Sequence, residues 1–239
     1  RGAAIQFDSP GLWNKSTIVS CEFDSNRSRG NGGAVSVSGG WIEIADSTFD
    51  GNEAIKGGAV YFEGGQGELV DCEIRWNNAW VGGGVALFGE TAVDLSGCLI
   101  HSNVADMGGG VHSGNEIVVP ECAPRRGRSC PRSSLPEQYC TMRDCMVRYN
   151  VAYISGGGFY LTEGEHFLFN STIEMNISYS DSTALFIEDM RGYDWRETRL
   201  HAMTICNNGP VYGRNIEGEY VDEGANCISL SGACGEMCE

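Results

Sequence analysis

A six-residue signature, Cys-x-[Phe/Ile/Val]-x-x-Asn with Ser47 and Ser171 in place of the cysteine in two copies, returns along this chain at a nearly constant interval, each time followed by a glycine-rich step. The apolar position falls at Phe23, Phe49, Ile74, Ile100, Val147 and Ile173, and the asparagine at Asn26, Asn52, Asn77, Asn103, Asn150 and Asn176. Successive asparagines lie 26, 25, 26, 47 and 26 residues apart, so the 47 is one period plus an insertion between Val119 and Thr141. A unit this short cannot bury its apolar face alone, and stacking against its neighbours is what makes a core.

The clearest copy, residues 57–77, reads GGAVYFEGGQGELVDCEIRWN. Val60 and Phe62 alternate with Tyr61, Leu69 sits in a second run, and Cys72 and Ile74 alternate with Glu73, which is the period of two expected of strands. Nothing has the spacing of an amphipathic helix. Three short strands with tight bends in ~25 residues make one turn of a right-handed parallel β-helix, and an all-β solenoid is the expected fold. Rungs about 4.8 Å apart put like residues into columns along the axis. The asparagines then form a ladder whose amides bond one another at a buried bend. The glycines at Gly33, Gly58, Gly83, Gly109 and Gly157 are expected to supply a backbone conformation closed to other residues.

The expected organisation is a β-helix over 1–205, interrupted at 120–140, and a disulfide-stapled C-terminal cap over 206–239. The chain has 239 residues and 11 cysteines, and carries Asn-x-Ser/Thr sequons at Asn14, Asn26, Asn170 and Asn176. That combination points to an oxidising, secretory compartment and a secreted or cell-surface location. Glycan is expected on Asn14 or Asn170, because Asn26 and Asn176 belong to the ladder. Cys72, Cys98 and Cys145 share an inward column with Cys21, and bridges Cys72–Cys98 or Cys98–Cys145 stand beside the alternative of stacked free thiols. The other disulfide candidates are Cys122, Cys130 and Cys140 in the insertion and Cys206, Cys227, Cys234 and Cys238 near the end. The chain opens mid-rung at Gly2, so upstream sequence or another protein chain is expected to cover that edge.

A net charge of −16 with two lysines, Lys15 and Lys56, argues against nucleic acid as a partner. No apolar run is long enough to span a bilayer. The insertion concentrates Arg125, Arg126, Arg128 and Arg132, a candidate docking or cleavage loop if it is more than a solvated staple.

A catalytic site is not expected. Glycan hydrolysis requires two carboxylates placed across the bond, whereas the outward column beside the anchor reads Asp24, Asp50, Arg75, His101, Arg148 and Glu174, a mixed-charge ladder in which Asp50 and Arg75 pair. Asp24 beside Asp50 is a candidate for calcium, but two carboxylates fall short of the usual six to eight oxygens. No other cofactor and no zinc cluster is expected, and His112 with Ser113 lies in an ordinary glycine step. The candidate contact surface is aromatic. Trp76 and Trp80, Tyr149 and Tyr153, and Tyr179 flank the ladder bend and suit stacking on sugar rings or on a partner protein.

The paired motifs Gly32-Gly33-Ala34-Val35 with Phe23-Asp24-Ser25-Asn26, and Gly57-Gly58-Ala59-Val60 with Phe49-Asp50-Gly51-Asn52, resemble the repeats of the polymorphic outer membrane protein family, across roughly Gly2 to Ile187. That resemblance implies a surface-displayed, adhesive or architectural module and carries over no catalytic residue. The absence of a membrane barrel, together with the sequons and cysteine-rich ends, suggests a eukaryotic secreted relative of algal or protist type. The leading expectation is a non-catalytic extracellular β-helix, part of a larger assembly or filament. The alternatives are a polysaccharide lyase or glycoside hydrolase on the same fold, or a glycan-binding module.

Overall fold

Each six-residue signature folds as a three-residue strand ending in a left-handed bend, because the anchor needs burial and the residue before each asparagine adopts positive φ, as at Ser25 (55°), Gly51 (63°) and Ser102 (56°). The computed structural model describes residues 3–8, 15–114, 139–162, 164–180, 184–188, 197–208 and 215–229. Asn14, Arg125, Arg126, Arg128, Arg132, Cys122, Cys130, Cys234 and Cys238 lie outside the described residues.

The strands form three parallel sheets of 14, 8 and 3 strands. The eight-stranded sheet carries the anchors in register, Phe23 on Phe49, Ile74, Ile100, Val147, Ile173, Ile205 and Ile228. The Phe23 and Phe49 rings stack with centroids 4.8 Å apart. The largest sheet adds a second inward column, Ile18, Ile44, Leu69, Leu95, Met142, Leu168 and Leu200. Its third column runs Val35, Val60, Val85, Val111, Phe159 and Leu185. These columns meet in one apolar core along the coil.

The long interval is absorbed inside a single rung. Val111–Ser113 pairs with Val85–Leu87 on one side and Phe159–Leu161 on the other, and Tyr139–Arg143 rejoins the coil between Ala92–Ser96 and Glu165–Phe169. Cys140, expected in the insertion, is therefore a core residue of that returning strand. Parallel pairing also continues beyond residue 205. Thr204–Cys206 stacks on Thr172–Glu174, and Cys227–Ile228 stacks on Thr204 and Ile205.

The two glycines of each step have different roles, which corrects the expectation for the second. Positive φ belongs to the first glycine, at Gly32, Gly57, Gly82, Gly108 and Gly156. The second is excluded from growing by space: a Cβ on Gly33 would lie 2.0 Å from the carbonyl oxygen of Gly58, and one on Gly58 2.2 Å from that of Gly83.

Candidate functional site

The recurrent residues are structural in every rung described. Each ladder asparagine donates Nδ2–H to Oδ1 of the next, from Asn26 through Asn52, Asn77, Asn103, Asn150 and Asn176, at 2.9 to 3.0 Å. That Oδ1 also accepts the preceding asparagine's backbone N–H, and the second amide hydrogen goes to an anchor carbonyl, as Asn103 to Ile74 at 2.9 Å. All four hydrogen-bonding positions of an interior side chain are filled. The ladder has one more member than the sequence reading found, Asn208, which accepts from Asn176 after a gap of 32 residues. Its signal is Met203-Thr204-Ile205-Cys206-Asn207-Asn208, with methionine in the cysteine position.

The cysteine column does related work. Ser47 Oγ accepts the backbone N–H of Cys21 at 3.1 Å and donates to the Ala45 carbonyl at 2.7 Å. Cys145 Sγ likewise accepts the N–H of Cys98 at 3.3 Å and donates to the Arg143 carbonyl at 3.2 Å. Serine stands in for cysteine at Ser47 and Ser171 because either bridges two rungs. Cys72, Cys98, Cys145 and Cys140 are free thiols, so of the two alternatives for the column it is the stacked thiols that the structure has. Stacking in register keeps Cα–Cβ bonds parallel and holds Cβ atoms about 4.8 Å apart, beyond the 3.5–4.5 Å a disulfide needs. The hydrogen bond with Cys145, and then burial, push the Cys98 thiol up to about 12, and burial does the same for Cys140. Such thiols are poor nucleophiles. Cys206 and Cys227 each take part in a disulfide.

Of the sequons, Asn176 is fully buried in the ladder, and Asn26 donates Nδ2–H to Asn52. Asn170 is exposed, with Nδ2 on Asp144 Oδ1 at 2.5 Å.

Outward carboxylates sit in mixed-charge ladders. Arg75 bonds Asp50 and Glu73, each at 2.9 Å, and His101 Nε2 lies 3.1 Å from Glu73. The His101 hydrogen bond, then Arg75, hold the Glu73 carboxyl below its usual range. Lys15 bridges Glu43 and Glu68 at 2.8 Å, and Arg27 meets Glu53 at 2.8 Å. Asp24 accepts from Ser25 Oγ at 2.8 Å and stacks on Asp50, whose carboxylate Arg75 already engages. Among the described residues no group of three or more His, Cys, Asp or Glu is placed to hold a metal ion.

A feature missed by parity lies on the outer face of the largest sheet. Tyr61, Phe88, His112, Tyr160 and Phe186 stack along the axis, with ring centroids 5.7, 5.0, 5.2 and 4.9 Å apart, and Lys56 Nζ lies 4.3 Å from the Phe88 ring. Tyr61, Phe88, His112 and Tyr160 are buried although they point away from the core. Burial, aided by Lys56 and His166, drives His112 down to about 3, so its ring is neutral. The folded value lies below the unfolded one. Stability is therefore complete above about pH 6.5 and falls as pH drops toward 3, by roughly 1.4 kcal/mol per pH unit. The substitution His112→Phe is expected to remove about 3 kcal/mol of the loss between pH 7 and pH 4, read from urea unfolding at both values.

The expected aromatic surface assembles on the flank of the ladder bend. Trp76, Trp80, Tyr149, Tyr153 and Tyr179 are 63%, 69%, 47%, 56% and 68% exposed. Tyr153 and Tyr179 stack at 5.7 Å and 13°, and Arg148 lies over Tyr149 at 5.6 Å. Ile55, Ile154, Ile177 and Met175 widen the apolar face. Trp76 and Tyr149 both have φ of 56°, a region bulky residues avoid at a cost of order 1–3 kcal/mol. Gly51 fills the same column one rung before Trp76 without that strain. Hence Trp76→Gly is expected to leave stability unchanged or raise it by up to about 1 kcal/mol in chemical denaturation, although it deletes the largest side chain.

In-register parallel sheets, a continuous asparagine ladder and no helix among the described residues define a parallel β-solenoid. The family model described as the right handed beta helix region matches residues 12–189, and the chain belongs to that family. No curated protein and no solved structure matches the chain.

Proposed function

We propose that this chain is a non-catalytic module of an extracellular or cell-surface structure, held to a partner through the aromatic flank of its ladder bend. The observation that carries the reading is the pair of bulky rings, Trp76 and Tyr149, kept 63% and 47% exposed at left-handed positions that disfavour bulky side chains. Side chains that strain a backbone without packing into it are better explained by what they touch outside the molecule. The pairing of outward carboxylates with Arg75, Arg27 and Lys15 supports a contact surface over a hydrolytic cleft. Resemblance to polymorphic outer membrane protein repeats supports surface display, and the exposed Asn170 sequon supports a secreted eukaryotic relative carrying glycan there.

Extracted from its native source without reductant, the chain is expected to run in an assembly larger than its own 25.8 kDa. Recovery as a monomer would remove the reading. Cleavage of an acidic polysaccharide by the purified chain would establish the enzyme alternative instead.

A further inference from the structure

The aromatic column three residues past the ladder asparagine is interrupted once. It reads Arg29, Ile55, Trp80, Asp106, Tyr153 and Tyr179, so that Asp106 alone parts the rings of Trp80 and Tyr153, and in the column before the asparagine Ser102 falls between Trp76 and Tyr149. The Asp106 rung therefore carries two small polar residues where the rungs on either side carry paired rings. Backbone bonds fix the order: Trp80 N–H donates to Ile55 O and Asp106 N–H to Trp80 O, at 3.0 Å each. Above it, Val104 and Ala105 pair with Val151 and Ala152, and Met107 with Ser155, so a bulge sets Tyr153 and Ile154 together opposite Asp106. Bulges commonly re-aim side chains beside binding sites.

Where adjacent rungs both carry rings the faces stack, as Tyr153 and Tyr179 do. Across the Asp106 rung the same column leaves a slot two rung spacings wide, about 9.6 Å, between Trp80 and Tyr153. A planar group in it would lie about 4.8 Å from each ring, inside the ~6 Å reach of a cation–π contact. Asp106 stands at the floor of the slot, half-buried, and no ion pair or side-chain hydrogen bond engages its carboxylate among the described residues.

We infer that this notch takes an arginine side chain of a partner protein, its guanidinium stacked between Trp80 and Tyr153 and paired with Asp106. Three properties select that occupant. A guanidinium is planar, is weakly hydrated and offers a fork of donors to one carboxylate. The chain itself shows the contact in miniature, with Arg148 over Tyr149. A net charge of −16 attracts cationic segments and disfavours anionic ones. The inference rests on the flank being a contact surface, and it names the chemistry of the partner there.

The test is an NMR titration of the full chain, following the Trp80 indole N–H signal, identified by its loss in Trp80→Phe. The probes are acetyl-Gly-Arg-Gly-amide, the same peptide with citrulline for arginine, and the neutral sugar maltotetraose. The arginine peptide is expected to move the signal, Asp106→Asn to weaken that binding about tenfold, and citrulline to leave the signal in place. An unmoved signal with the arginine peptide, equal affinity in Asp106→Asn, or a response to maltotetraose alone would overturn the assignment. Failure here with the native assembly intact removes only the notch, whereas a monomeric native chain removes the contact surface itself.

Discussion

Replacing Asn103 by alanine is expected to cost about 3–6 kcal/mol of unfolding free energy, because two buried donors lose their acceptor and a void opens in the bend. Asn103 Oδ1 accepts the backbone N–H of Asn77 at 3.0 Å and its Nδ2–H at 2.9 Å, and Asn103 itself donates to Ile74 O and Asn150 Oδ1. Water cannot replace these partners at a side chain with no exposed surface. The same change at Asn26 should cost far less, since Asn26 is half-buried and donates to Asn52 without accepting from an earlier asparagine among the described residues. Urea midpoints for the two variants check the gradient, and equal costs at both ends would mean that the ladder does not act as a chain.

A second large effect is expected at Gly58. An alanine there places Cβ 2.2 Å from Gly83 O, 2.8 Å from Asn78 N and 2.9 Å from Asn78 O, all backbone atoms of the next rung. No rotamer change relieves such a contact, so the rungs must separate locally and sacrifice their hydrogen bonds. The loss should exceed about 4 kcal/mol, at the extreme of single substitutions. Gly64 is the control. Unlike Gly58 it has positive φ, 73°, but a Cβ there meets only Glu90 O at 3.8 Å, so alanine should cost about 1 kcal/mol. Thermal melts followed by circular dichroism separate the two, and comparable melting points would show that rung spacing does not select glycine at Gly58.

The coil was readable because register is enforced at every level. A one-residue slip would turn Phe49, Ile74 and Ile100 outward and break the asparagine ladder together, so the sequence keeps both in phase. Asn208 escaped because its rung is longer, 32 residues, and methionine replaces the cysteine. The column of second glycines was found but given the role that belongs to the first, since sequence shows that glycine recurs and not whether angle or space demands it. Cysteine recurrence left bridges and free thiols both open, and parallel stacking decides between them by setting the side chains at a spacing that favours thiol hydrogen bonds to carbonyls, such as Cys72 Sγ to Ile44 O at 3.4 Å. The stack through His112 was invisible for another reason. Alternation predicts which face a side chain takes, and Tyr61, Phe88 and Tyr160 do face outward, but it is silent on whether that face is covered. The aromatic flank was legible residue by residue. Its interruption at Asp106, and the bulge beside it, required the register.

The central claim is that the repeat builds the coil while contacts to other molecules lie on the aromatic flank. It is tested most directly by the triple variant Trp80→Ala, Tyr153→Ala and Tyr179→Ala, measured for retention in the native assembly with its urea midpoint recorded alongside. Retention should be lost while the midpoint moves by no more than about 1 kcal/mol in unfolding free energy, as expected for exposed side chains away from the core. A variant that unfolds readily yet still assembles would contradict the claim.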